Sequence, residues 1–147
     1  MFPDPHDLSR FLNAQAHSHE IALSEIRRGQ KRSHWMWYIF PQYVGLGLSP
    51  TSQRYAIKSV AEAEAYLNDP VLGPRLVECS EAVLRVEGRT AHEIFGSPDD
   101  VKLKSSATLF AHVSPAGSVF ERVLDRYFRG ERDSKTLRML GLPHDGA

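Results

Sequence analysis

His34, Trp35, Trp37 and Gln42 crowd into one run, Ser33-His34-Trp35-Met36-Trp37-Tyr38-Ile39-Phe40-Pro41-Gln42, which holds both tryptophans of the chain. Each large aromatic ring brings about 150–250 Å² of surface to bury. Here the rings sit beside an imidazole, an amide and two indole N–H groups, all of which need hydrogen-bond partners. A stretch built only to fill a core would not carry so many polar edges, so the run reads as the wall of a pocket. A neutral imidazole can act as base, acid or ligand, which makes His34 the candidate catalytic residue. Gln42 can make paired hydrogen bonds to a planar ligand, and Trp35 and Trp37 can offer apolar walls. The competing reading is structural: a histidine that fixes a turn, an amide that ties its own loop, and rings that belong to the core. On a helix Trp35 and Trp37 diverge by about 200°, so only one of them can face a given pocket.

A second run with usable chemistry is Lys102-Leu103-Lys104-Ser105-Ser106-Ala107-Thr108, just after Pro98-Asp99-Asp100. The acidic pair already answers the positive end of a helix starting near Pro98, so an anion is expected farther along. Lys104 and Thr108 share a face at i,i+4 spacing. Together with Lys102 and Ser105 they supply cations and hydroxyls for an anionic group. The alternative is a solvated cationic face whose serines bond to their own backbone.

Other candidates are weaker. Asp133, before Ser134-Lys135-Thr136-Leu137, reads first as a helix cap and only second as an acid. Arg122, Asp125, Arg126 and Arg129 have the spacing of exposed helix ion pairs, which contribute little. His17, His19, His92, His112 and His144 show no metal-ligand spacing. No phosphate-binding loop, dinucleotide fingerprint, nucleophile elbow or zinc-protease motif occurs, so the sequence names no metal and leaves any cofactor unknown.

Lysine and arginine number 18, as do aspartate and glutamate. No strong overall field therefore recruits nucleic acid or an anionic membrane, and only Arg27, Arg28, Lys31 and Arg32 form a local basic run. With 147 residues the chain reads as a single domain over 1–147, able to bury about two-thirds of its unfolded surface. The lone Cys79 excludes an internal disulfide and reads as a small buried thiol. No apolar run of about 18 residues occurs, and Met1-Phe2-Pro3-Asp4-Pro5-His6-Asp7 does not read as a signal peptide. A cytoplasmic location is expected.

Capping residues followed by a 3.6-residue apolar period recur along the chain, and no long alternating run suggests a sheet. A helix is predicted from about Leu8 to Arg28, capped by Asp7 and ended by Gly29. A short helical turn and a structured loop follow through the aromatic run, which Pro41, Gly45, Gly47 and Pro50 interrupt. Ser59 with Glu62 and Thr90 with Glu93 form capping boxes. Asp69-Pro70 opens the stripe Leu72, Leu76, Cys79 and Val83. Further helices are predicted over Pro98 to Val113, from Ser114-Pro115 to Gly130, and after Asp133. The expected fold is a compact all-α domain of about six or seven helices.

The aromatic run, with Gly45-Leu46-Gly47 and Ser49 after it, closely resembles the uncharacterised bacterial and fungal family DUF1810. The resemblance continues through Asp7-Leu8 with Arg10-Phe11, Ala14-Gln15, Ala65-Tyr66-Leu67 and Pro70-Val71-Leu72-Gly73. It resumes at Phe95-Gly96 with Asp99, Lys102-Leu103-Lys104-Ser105, Thr108-Leu109-Phe110, and Asp133 with Thr136-Leu137, and so spans almost the whole chain. It implies a compact, mostly helical domain and a shared site that includes His34, Trp35, Trp37, Gln42, Lys102, Lys104, Ser105 and Thr108. Some members carry a calpastatin-like label, which does not transfer because this chain lacks the disordered composition of that inhibitor.

These residues predict a pocket for a small polar, anionic metabolite, phosphorylated or nucleotide-derived. One aromatic ring would wall it, Gln42 would orient the ligand, Lys104 with Ser105 or Thr108 would meet the anion, and His34 would move a proton if a reaction occurs. The alternative is a protein-interaction or homodimerisation domain using the aromatic segment 35–43. One cleft enclosing His34, Gln42 and Lys104 would favour the first.

Overall fold

Asp4, rather than Asp7, caps the first helix: its carboxylate accepts the Leu8 N–H at 2.7 Å and the Ser9 N–H at 3.0 Å. Asp7 instead takes a left-handed backbone, φ 50°, in the turn before it. The computed structural model describes residues 3–144 and is all-α, with one isolated parallel bridge between Tyr43 and Ile57. Met1 and Phe2, on which the signal-peptide reading partly rests, and residues 145–147 at the end of the expected domain, lie outside the described residues.

The elements are α1 (Ser9–Arg27), α2 (Met36–Ile39), α3 (Pro50–Arg54), α4 (Val60–Asn68), α5 (Leu72–Arg85), α6 (Ala91–Phe95), α7 (Asp99–His112), α8 (Val119–Phe128) and α9 (Ser134–Met139). Nine helices among the described residues correct the expected six or seven. Five of the nine are long; the other four, α2, α3, α6 and α9, are too short to display a full apolar stripe, so a count by stripes falls short. Three of these owe their start to a local cap: Ser49 with Pro50 for α3, the Thr90–Glu93 box for α6, and Asp133 for α9. A further correction concerns α8. Its cap is Ser118, whose hydroxyl accepts the Glu121 N–H at 3.3 Å, so Ser114-Pro115 stays in the preceding turn.

Helix α5 packs on α1, α4 and α8, and α7 packs on α6, α8 and α9. The start of α5 meets the end of α4 backbone to backbone, and a Cβ on Gly73 would overlap the Leu67 carbonyl. Helix α7 is buried from Ser105 to Ala111 without interruption, polar residues included. Apart from His112 at its end, only its first two turns present side chains outward, which restricts where its lysines can act.

Two polar knots tie the N-terminal half together. Ser59 caps α4, but the Glu62 carboxylate does not close the box. It pairs with Arg10 at 2.6 Å, both side chains being buried. Arg10 also donates to the carbonyls of His6, Asp7, Arg54 and Ala56, so its guanidinium is fully engaged. Gln15, on the apolar face of α1, donates to the Tyr38 carbonyl at 2.7 Å and the Tyr66 hydroxyl at 2.9 Å.

Candidate functional site

The aromatic run is organised around Glu25, a residue that sequence reasoning did not single out. Its carboxylate accepts the Trp35 indole N–H at 2.9 Å, the Arg32 N–H at 2.8 Å, the Ser33 N–H at 2.9 Å and the Ser33 hydroxyl at 2.6 Å. Burial alone would raise this carboxyl, but the hydrogen bonds from Ser33, Arg32 and Trp35 outweigh it and hold it at about 2. The available signal was a glutamate flanked by Ala22, Leu23 and Ile26 on the buried face of α1. Trp35 is only 1% exposed and meets Phe95 edge-on, so it belongs to the core.

The aromatic run and the lysine-bearing helix do meet, through Trp37 and Lys102. The Lys102 ammonium lies 5.2 Å from the centre of the half-buried Trp37 ring and 3.6 Å from Asp99 Oδ1. The other Asp99 oxygen lies 2.9 Å from Lys31 Nζ, which also sits 5.0 Å from the Trp35 ring centre. One carboxylate therefore already serves both lysines. His34 is exposed, and its carbonyl accepts the Tyr38 hydroxyl at 3.3 Å. The Gln42 carbonyl accepts the Ile57 N–H at 2.8 Å, which pins the loop after the aromatic run.

Lys104 points elsewhere. Two residues along a helix turn a side chain by about 200°, and the Lys104 ammonium lies 5.9 Å from the Phe128 ring centre and 3.5 Å from Glu131 Oε2. There it lines a cavity of about 760 Å³ with Arg129, Arg132, Asp133, Ser134 and His144, and with Leu137 and Pro143 as apolar wall. The lining does not include His34, Trp35, Trp37 or Gln42. The expectation of a hollow joining those residues to Lys104 is thus not met by this cavity, because α7 sends its two lysines to different neighbours.

Thr108 supports the cavity from beneath. Its buried hydroxyl donates to the Lys104 carbonyl at 2.8 Å and accepts the Asp133 N–H at 2.8 Å, joining α7 to the start of α9. Asp133 caps α9 with Oδ2, which receives the Thr136 N–H at 2.9 Å and the Thr136 hydroxyl at 2.6 Å. Its Oδ1 takes no protein donor among the described residues. Ser105 is buried, and its hydroxyl turns back to the Val101 carbonyl at 3.2 Å, the structural alternative recognised in the sequence.

Arg129 ends α8 in a left-handed conformation, φ 58°, followed by Gly130 at φ 77°. A non-glycine residue there costs about 1–2 kcal/mol, yet it carries an arginine on the cavity wall. Arg132 is partly spoken for by Glu121 at 2.9 Å. Lys104, Arg129 and Arg132 stand against Glu131 and Asp133, so the formal charge of the lining is positive.

A trio elsewhere, with His19 and Cys79 buried and Glu78 exposed, has nucleophile-like chemistry on paper. His19 Nε2 lies 3.0 Å from Glu78 Oε1, and its Nδ1 lies 3.9 Å from Cys79 Sγ. Burial, reinforced by Glu78, pushes the thiol up to about 12, so Cys79 stays protonated and inert. Among the described residues no group of three or more metal-ligating side chains could hold an ion, and no helix is long and apolar enough to cross a membrane.

A compact all-α domain with a cationic cavity walled by its last helices is the class that these elements define. The chain belongs to the DUF1810 family, whose description is "Protein of unknown function (DUF1810)" and whose profile matches residues 5–140. It is similar to the crystal structure of the conserved hypothetical protein Rv1873 from Mycobacterium tuberculosis. That likeness has 49% identity, covers 95% of this chain and 100% of the other, and gives a TM-score of 0.92. No curated protein matches the chain.

Proposed function

We propose that the protein binds a small polar metabolite with an anionic group, phosphorylated or nucleotide-derived, in the cavity beside Lys104. The observation that carries this reading is the convergence of Lys104, Arg129 and Arg132 on one hollow of about 760 Å³. That size lies within the range of about 300–1,000 Å³ usual for small-molecule sites. Thr108, and the cap that Asp133 makes with Thr136, fix the wall, while Asp133 Oδ1 is left to accept a hydrogen bond from a ligand hydroxyl. A cytoplasmic location fits such a ligand. The test is a thermal-shift screen of phosphorylated metabolites, repeated on Lys104→Met. A stabilising ligand whose effect disappears in the variant, while a neutral analogue is unaffected, supports the reading. Equal losses for charged and neutral ligands would overturn it.

A second reading, self-association, rests on a different surface from the one expected. Most of the segment 35–43 is covered, but the loop after it leaves Val44 38% and Leu48 82% exposed, with Met139 of α9 at 47%. Gly45, next to Val44, lies against Met139, so the start of this loop reaches α9. Sedimentation at high protein concentration distinguishes the two readings. A dimer lost in Leu48→Glu would favour association, and a monomer throughout would reject it.

A further inference from the structure

We propose that Glu131 is a resident competitor for the anion subsite. Its carboxylate occupies the Lys104 ammonium until the phosphate group of a phosphate monoester displaces it and bridges Lys104 and Arg129. This rests on the cavity being an anion site, and it adds where the anion sits, which chemical class suits it and what sets the binding threshold.

The geometry separates a fixed backbone from a movable carboxylate. The Glu131 N–H donates to the Phe128 carbonyl at 2.9 Å, and the Gly130 N–H donates to the Leu124 carbonyl at 2.9 Å, so the turn is held. The Glu131 side chain is 71% exposed, against 24% for Lys104, and their charged atoms are 3.5 Å apart. Glu131 can therefore swing into water without losing a buried partner, whereas Lys104 keeps its place over Phe128. A tethered carboxylate acts at a local concentration in about the millimolar range, against which any incoming anion must compete.

The cost of displacing Glu131 is common to all anions, so an anion that makes a second contact clears that threshold where a single carboxylate contact does not. A ligand carboxylate on Lys104 exchanges like for like with Glu131. A phosphate monoester carries about −1.5 to −2 charge at neutral pH and three acceptor oxygens. One oxygen can meet Lys104 while another meets Arg129, which makes no ion pair among the described residues. Arg129, exposed at the end of α8, lines the same wall within the cavity that Lys104 lines.

The experiment is calorimetric titration of the full chain at pH 7.5 with glycerol 3-phosphate and with glycerate. The proteins are the wild type, Glu131→Gln, Arg129→Gln and Lys104→Met, with circular dichroism to confirm folding. Displacing one competitor costs every anion the same, so Glu131→Gln should tighten both ligands by a common, several-fold factor. Arg129→Gln should weaken glycerol 3-phosphate more than glycerate, and Lys104→Met should abolish both. If wild type binds and Lys104→Met does not, but Glu131→Gln leaves affinity unchanged or lower, the competitor role is overturned while the cavity reading stands. If neither ligand binds wild type or Glu131→Gln, the cavity reading itself falls, and this inference with it.

Discussion

The Trp35 indole ends on the Glu25 carboxylate, 2.9 Å away, and the same oxygen receives the Arg32 and Ser33 N–H groups that lead into the aromatic run. One buried charge thus sets the entry of the segment, the orientation of its first ring and the end of the connector from α1. The glutamate is 7% exposed and lies on the buried face of α1.

Its stabilising effect depends on pH in a definite direction. The folded carboxyl is held at about 2 against the ordinary glutamate value of 4.5, a difference of about 3 kcal/mol by linkage. A depressed carboxyl stabilises fully above its unfolded value and loses that contribution as pH falls toward 2. Urea unfolding of wild type and Glu25→Gln should therefore differ most at neutral pH and converge between about pH 4.5 and 2. A gap that stays constant with pH would show that the charge is not the source.

Thr108→Val keeps the shape and removes the hydroxyl that the Asp133 N–H requires. Leaving that donor unpaired should cost about 1–3 kcal/mol in chemical denaturation. Thr108→Ser should recover most of it. Anion affinity at the cavity should follow the same order, because Asp133 and the start of α9 lose their anchor to α7.

Removing one partner of the Arg10–Glu62 pair should be severe. Glu62→Leu leaves a guanidinium uncompensated among buried groups, at a cost of about 3–5 kcal/mol. Denaturant midpoints at constant slope give the value. A loss below about 1 kcal/mol would mean that the four carbonyls around Arg10 suffice without the carboxylate.

Cys79 should resist alkylation in the native protein. Its thiol is 1% exposed and raised to about 12, so iodoacetamide at pH 8 should label it only as fast as the structure opens. Labelling rates should rise with urea in parallel with unfolding. Rapid labelling without denaturant would contradict the burial.

His34→Ala should leave anion binding at the Lys104 cavity nearly unchanged, since His34 is exposed and absent from the lining. A large loss, measured with a ligand that Lys104→Met also loses, would return His34 to the site.

Local signals made the helices legible. Thr90 and Asp133 cap as their spacing predicts, Ser59 caps without closing its box, and the Leu72, Leu76, Cys79 and Val83 stripe is buried. Asp4 displaced Asp7 as the first cap because Asp7 takes a left-handed backbone, which no pattern of apolar residues reveals. The site was harder to read. Lys104 and Thr108 share the predicted face, but the groups facing Lys104 come from the turn after α8, about 25 residues away in sequence. Glu25 escaped notice for the same reason: its donors at 32–35 belong to another element, and a glutamate inside a helical stripe looks like ordinary helix surface.

The two tryptophans provide separate optical reporters within one chain. Trp35, sealed in the core against a carboxylate, should emit from a rigid, dry environment, whereas Trp37, half-buried under the Lys102 ammonium, should be open to aqueous quenchers. Replacing either with phenylalanine would isolate the other, so that loosening of the interior and events at the Lys102 surface can be followed independently by emission.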